Sequence, residues 1–111
     1  MLEKTLTNKI IKHINQTYKS TTWLYKRFAQ GNDAGQPDIT GIHQGMRVEI
    51  EVKAPHRDLG SLAANHSLAS KRQQFYLTKY ARLGGLTGVV CSLPQALEVL
   101  RLSNQLSDQE S

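Results

Sequence analysis

Apolar residues recur at every fourth position at the start of the chain, at Leu2, Leu6, Ile10, Ile14 and Tyr18, with Ile11 widening the stripe. That spacing predicts an amphipathic helix over residues 2–18. Thr21 to Phe28 is β-branched and aromatic and predicts a strand. Alternation puts Trp23, Tyr25 and Arg27 on one face of it and Leu24, Lys26 and Phe28 on the other. Large aromatics dominate small cores, so Trp23 and Tyr25 are expected inside. Gln30 to Gln36 is a loop rich in turn formers. Pro37, with its fixed φ and no N–H, then suits the first residue of a strand. His43-Gln44-Gly45-Met46 reads as a hairpin turn. Val48, Ile50 and Val52 alternate with Glu49, Glu51 and Lys53, which predicts a strand with an apolar face and a charged one.

After Lys53 the periodicity fades, and residues 54–69 read as a long connecting loop. Ser70 with Gln73 three residues on is a capping box that opens a helix to about Leu83. Its apolar face is Tyr76, Leu77, Tyr80 and Leu83. Gly84-Gly85 ends it. Leu86 to Cys91 is an apolar run of strand length, the pattern of a central strand. Ser92, Pro94 and Gln95 open a last helix through Ala96, Leu97, Val99 and Leu100. The order is α-β-β-β-α-β-α. A helix between the third and fourth strands permits a parallel crossover, so an α/β fold with a mixed central sheet flanked by helices is expected. Residues 1–103 form one domain on this reading and 104–111 a polar C-terminal tail.

The charged face of the third strand needs a reason. Glu51 and Lys53 sit roughly 6.6 Å apart along a strand, room for an ion, a water or a phosphate oxygen. An ordinary surface ion pair, worth ~0–1 kcal/mol, is the plain alternative. A turn near Gln44-Gly45 sets Asp38 opposite about residue 51, give or take two. Two carboxylates in that arrangement outline a site for a hard cation such as Mg²⁺.

Pro37-Asp38 followed by Glu51-Val52-Lys53 resembles the Pro-Asp…Asp/Glu-x-Lys signature of the restriction-endonuclease-like nucleases. Gly35-Gln36-Pro37-Asp38, Ile50 to Pro55, Ser70-Lys71-Arg72-Gln73 and Gly84-Gly85 together resemble the virus-type replication-repair nuclease (VRR-NUC) domain. The likeness runs from about Glu3 to Leu100. It implies a restriction-endonuclease-like core and metal-dependent hydrolysis of DNA phosphodiesters. Asp38, Glu51 and the main-chain carbonyl of Val52 would hold Mg²⁺ (or Mn²⁺). Lys53 would orient water or stabilise charge, and Gln73, eleven residues before Gly84, would position water or phosphate. Gln74 is the rival to Gln73, and the capping box is its other role. Glu3, on the first helix ahead of an apolar i+3 residue, would face the site. Its plain role is a favourable charge at a helix N-terminus. Standalone members look like homodimeric Holliday-junction resolvases, which implies branched DNA as substrate and a phage or DNA-repair setting. A flap or nicking nuclease of the same fold, and a non-catalytic DNA-binding module, are the alternatives. A chance motif in a toxin-like or scaffold protein is a third. The long 54–69 connection departs from the family pattern.

Charge changes this picture modestly. The 111 residues carry a formal net charge of +5, which favours a polyanionic partner without specifying one. Lys71 and Arg72, with Lys79 and Arg82 on the same predicted helix, and Arg57 in the connection are candidate phosphate contacts. His56 and His66 read equally as solvated residues, and Asp33 is an extra carboxylate whose commoner role is a local turn bond. The single Cys91, in an apolar run, is a core residue and a poor zinc ligand. No apolar run approaches ~18 residues and the N-terminus lacks a signal-peptide core, so no membrane association and a cytoplasmic location, in a bacterium or phage-infected cell, are expected.

Overall fold

Residues 1–28 and 34–102 are described by a computed structural model of the chain. Asp33 and the polar tail from Ser103 lie outside the described residues. Helix α1, Glu3–Thr17, buries Leu6, Ile10 and Ile14, as its four-residue period requires. Leu2 precedes the first turn and is exposed, while Tyr18 caps the last turn and packs half-buried on the core.

Four strands follow: β1 Thr22–Lys26, β2 Ile39–His43, β3 Met46–Val52 and β4 Leu86–Val90. They lie in the order β1-β2-β3-β4, antiparallel except for the parallel pair β3 and β4. The mixed sheet flanked by helices is the expected architecture. Gln44 and Gly45 join β2 to β3 with φ of 50° and 80°. Two consecutive left-handed residues match the right-handed twist of a two-residue hairpin, and glycine adopts that region without strain. The turn sets Ile39 opposite Ile50, so Asp38 comes level with Glu51.

Val48, Ile50 and Val52 point to one side with Leu24, Ile39, Leu86 and Val90. There they meet α1 and helix α4, Leu93–Val99, through Ile10, Ile14, Leu97 and Leu100. Burying each large aliphatic contributes roughly 1.5–3 kcal/mol. On the other side Val89 packs with Leu77 of helix α3, Lys71–Arg82. Leu83, expected on the apolar face of α3, is its exposed C-cap.

Three further expectations need correction. Leu86 to Cys91 is not central, because β4 is the edge strand next to β3 among the described strands. It reads as apolar because helices cover both its faces, not because strands flank it. Residues 54–69 are not a loop. They form a 3₁₀ turn at Pro55–Arg57, a single helical turn α2 at Leu62–Asn65, and a second 3₁₀ turn at His66–Leu68. Their anchor is polar. The fully buried Asn65 amide donates to Asp58 Oδ1 (3.1 Å) and to Gln95 Oε1 (3.1 Å), and accepts from the Leu59 N–H (2.8 Å). Hydrophobic periodicity cannot show such an anchor. Finally, Trp23 and Tyr25 lie outside the core and Leu24 between them lies inside. The helix that would cover their face, α3, packs over β3 and β4.

Candidate active site

The site forms where β2 begins and β3 ends. Gly35, with φ of 105°, lies so close to the side chain of Arg72 that a Cβ would clash with it. Gln36 then accepts hydrogen bonds from Arg27 (2.9 Å) and the Tyr80 hydroxyl (2.8 Å). Those bonds fix the turn that delivers Pro37 and Asp38. Across the sheet, Asp38 Oδ2 accepts from the Val52 N–H at 3.1 Å, which ties the start of β2 to the end of β3.

Glu51 is buried, at 2 % exposure. Its Oε2 accepts from Gln73 Nε2 (2.9 Å) and forms an ion pair with Lys53 Nζ (3.2 Å). Lys53 also donates to Gln73 Oε1 at 3.2 Å. That same oxygen accepts from the Ser70 backbone N–H (2.8 Å), and Ser70 Oγ accepts from the Gln73 N–H (3.1 Å). Gln73 is therefore both the capping residue of α3 and a member of the cluster, and the two readings of it are one. Gln74 turns away and donates to the Ala69 carbonyl (2.9 Å).

The electrostatics of the cluster are set by burial. Glu51 is pushed up to about 7, first by desolvation and then by the Asp38 charge, with Lys53 pulling the other way. Asp38 is also raised, again by burial first. The Val52 N–H and Lys53 oppose that rise, and the Glu3 charge adds to it. Glu3 thus stands at the head of α1 close enough for its charge to be felt at Asp38. Glu51 Oε1 is buried with no hydrogen-bond partner. A buried carboxylate oxygen without a donor, beside a second carboxylate, has the donor chemistry of a hard-cation ligand. Among the described residues no three His, Cys, Asp or Glu side chains converge, and Asp38 and Glu51 are the two carboxylates that meet here. That suits Mg²⁺, which takes one or two carboxylates and fills its shell with water and substrate phosphate.

The candidate phosphate contacts border this cluster unequally. Lys71 and Arg72 are exposed in the first turn of α3, directly before Gln73. Lys71, Lys79 and Arg82 line a groove of about 570 Å³ along that helix, with His66 and the exposed Phe75. Arg57 is exposed in the 3₁₀ turn after Lys53, beside the equally exposed His56. Sequence reasoning assigned nothing to Gln36, whose position inside Gly-Gln-Pro-Asp was the available signal. It also missed the buried carboxylate of Glu49. That group accepts from Arg27 (2.9 Å), Arg47 (2.9 Å) and the Thr40 hydroxyl.

No helix among the described residues is long and apolar enough to cross a membrane. No protein-family model matches the chain, and no curated protein does. Among solved structures the chain is similar to a VRR_NUC domain protein, with a TM-score of 0.65 and 14% sequence identity over 96% of this chain and 90% of that one. At that identity the likeness shows the fold: an α/β chain whose mixed sheet is flanked by helices, as in that structure.

Proposed function

We propose that the protein is a VRR-NUC-type nuclease that hydrolyses DNA phosphodiester bonds with the help of Mg²⁺ or Mn²⁺. The observation that carries this reading is the cluster itself. Glu51, Lys53 and Gln73 are bound to one another in a buried site, the Val52 N–H holds Asp38 beside them, and Glu51 keeps one oxygen without a donor. A structural ion pair gains nothing from an unsatisfied buried oxygen.

Asp38, Glu51 and the Val52 carbonyl would hold the cation. When bound, it supplies Lewis acidity toward a phosphate oxygen and an acidified water. The residues do the rest. A bound cation would favour the ionised forms of Glu51 and Asp38 over the protonated forms that burial favours. Lys53, paired with Glu51 at 3.2 Å, would supply an ammonium to stabilise developing phosphoryl charge. Gln73 is fixed by the α3 cap, so its amide meets the reacting groups with little reorganisation. Glu3 adds negative charge at the rim. Lys71, Arg72 and Arg57 flank the cluster and supply phosphate contacts that position the duplex without reading its sequence.

The preferred substrate on this reading is branched DNA, cut by a homodimer. A C₂ pair of such sites suits two symmetric nicks. The test is cleavage of labelled four-way junction, flap, duplex and single-stranded DNA with Mg²⁺, Mn²⁺ or EDTA, beside Asp38→Ala and Lys53→Ala. Metal-dependent paired nicks on the junction, lost in both variants, are expected. Cutting of every substrate alike would remove the junction preference. Binding without cleavage under any metal would leave a non-catalytic DNA-binding module.

A further inference from the structure

The sheet face that carries Asp38, Glu49, Glu51 and Lys53 is roofed by α3 only over β3 and β4. Over β1 and β2 no helix among the described residues covers the same face. There Trp23 is 65% exposed, Ile42 opposite it 48%, and Tyr25 45%. Exposing a tryptophan, a tyrosine and an isoleucine together is costly and calls for a partner.

The strand register says where this shelf leads. Trp23 faces Ile42, Tyr25 faces Thr40, and the Arg27 N–H bonds the Asp38 carbonyl at 2.8 Å. Trp23, Tyr25 and Arg27 therefore form a row that ends beside Asp38. At ~3.3 Å per residue, Trp23 stands roughly 13 Å along the strand from the catalytic level. That is on the order of four stacked nucleotides at ~3.4 Å each. The two rings are 5.4 Å apart and tilted by 46°. They border a shallow groove of about 420 Å³ with Ile42, Gly45 and Arg47.

Two observations select the occupant. The groove lining contains Arg47, which pairs with the buried Glu49 but keeps its side chain 56% exposed, and no acid, on a chain of net charge +5. A second copy seated face to face on this groove would bring a second Arg47 and no acid to it. Nor is the neighbouring edge open to strand pairing. Asn15 of α1 donates to the Leu24 carbonyl (2.8 Å) and accepts from the Leu24 N–H (2.8 Å). That occupies both backbone groups of the strand's central residue. A polyanion with flat apolar rings satisfies both the charge and the aromatics.

We infer that Trp23 and Tyr25 form a stacking platform for unpaired nucleobases of the DNA strand running away from the cleavage site. This rests on the nuclease reading of the adjoining cluster and adds to it a source of preference for unpaired or splayed strands. Duplex DNA keeps its bases stacked and gains nothing from the shelf.

Trp23 is the only tryptophan of the chain, so its fluorescence reports this surface alone. The whole protein is titrated in EDTA with oligo-dT and with a duplex of equal length. Oligo-dT is expected to quench the Trp23 emission and the duplex to leave it nearly unchanged. The double variant Trp23→Ala, Tyr25→Ala is expected to bind oligo-dT about tenfold more weakly and duplex within about twofold of the parent. Trp23→Phe should keep most of the affinity. Thermal melts confirm folding, since both side chains are exposed. Equal affinity of parent and double variant for oligo-dT, with no quenching, overturns the inference. So does emission that shifts with protein concentration in the absence of DNA, together with a sedimentation mass that falls in Trp23→Ala, since the face is then an interface between copies. The nuclease reading fails separately: quenching with no cleavage under any metal sinks it and leaves the platform. Cleavage that depends on Asp38, with oligo-dT binding unaltered by the double variant, does the reverse.

Discussion

Glu49 and Glu51 sit two residues apart on one strand, point to the same side of the sheet, and are both buried. Their surroundings differ completely. Glu49 is closed from all sides by Arg27, Arg47 and Thr40, and Arg47 in turn lies over the Tyr80 ring at 4.7 Å. Glu51 has Lys53 and Gln73 on one oxygen and no donor group on the other, with the Asp38 carboxyl as its neighbour. The protein satisfies one carboxylate fully and the other on one oxygen only. Incomplete satisfaction, not burial or charge, distinguishes a candidate catalytic carboxylate from a structural one here.

Removing each carboxylate in turn tests that distinction. Glu51→Gln is expected to lower metal-dependent cleavage by about 10³-fold, because a cation ligand and the partner of Lys53 go together. Its melting temperature without metal should hold or rise, because the buried like-charge neighbour of Asp38 is gone. Glu49→Ala is expected to do the opposite. It should cost about 2–3 kcal/mol in denaturant unfolding, at or below the usual loss for breaking a buried pair, because Arg27 and Arg47 keep contact with water. If Glu49→Ala abolished cleavage in a fully folded protein, the contrast would collapse.

The pH dependence sharpens the same contrast. The unfolded chain releases the Glu51 proton near its ordinary value of about 4.3, and the metal-free folded protein holds it to about 7. The folded state thus binds more protons between those values. The stability Glu51 contributes is present below about pH 4.3 and lost as pH rises through about 7. Urea unfolding in EDTA should show parent and Glu51→Gln diverging by about 1–3 kcal/mol as pH goes from 5 to 8, with the variant the more stable of the two. Mg²⁺ should bind more tightly as pH rises across 7, since a cation requires the ionised carboxylate. Added Mg²⁺ should then raise the melting temperature of the parent at pH 8 and not that of Glu51→Gln. A flat profile would place Glu51 with Glu49 as a structural group.

The sequence made the site legible for local reasons and hid the rest for non-local ones. Asp38 could be set level with Glu51 because a two-residue hairpin fixes register, and register fixes which side chains meet. Glu51 and Lys53 shared a face because strand alternation allows nothing else. Trp23 and Tyr25 were misplaced because alternation gives two faces without saying which one a helix will cover, and α3 covers β3 and β4. The 54–69 segment does not show in the pattern because it is held by polar bonds, between its own Asn65 and Asp58 and from both to the distant Gln95. Glu49 looks like Glu51 in sequence because one of its closing partners, Arg27, is the residue after β1, 22 positions away.

Gln73 offers the finest test, because it belongs to both worlds. Its backbone and Oε1 complete the cap of α3, as Glu49 completes a structural pair. Its Nε2 holds the Oε2 of Glu51. Gln73→Ala removes both and is expected to cost about 0.5–2 kcal/mol in stability, the usual value of a cap, alongside lowered cleavage. Gln73→Glu separates them, because glutamate serves the capping box as well as glutamine. The helix should therefore melt as in the parent. A third carboxylate now faces Glu51 Oε2 where a donor stood, which raises the proton affinity of Glu51 further. Cleavage at pH 7 should fall about tenfold, the effect of one added pKa unit, and recover as the assay pH is raised. Recovery with pH would show that Gln73 acts through the ionisation of Glu51. A loss equal at all pH values would mean that its amide contacts the phosphate or water directly.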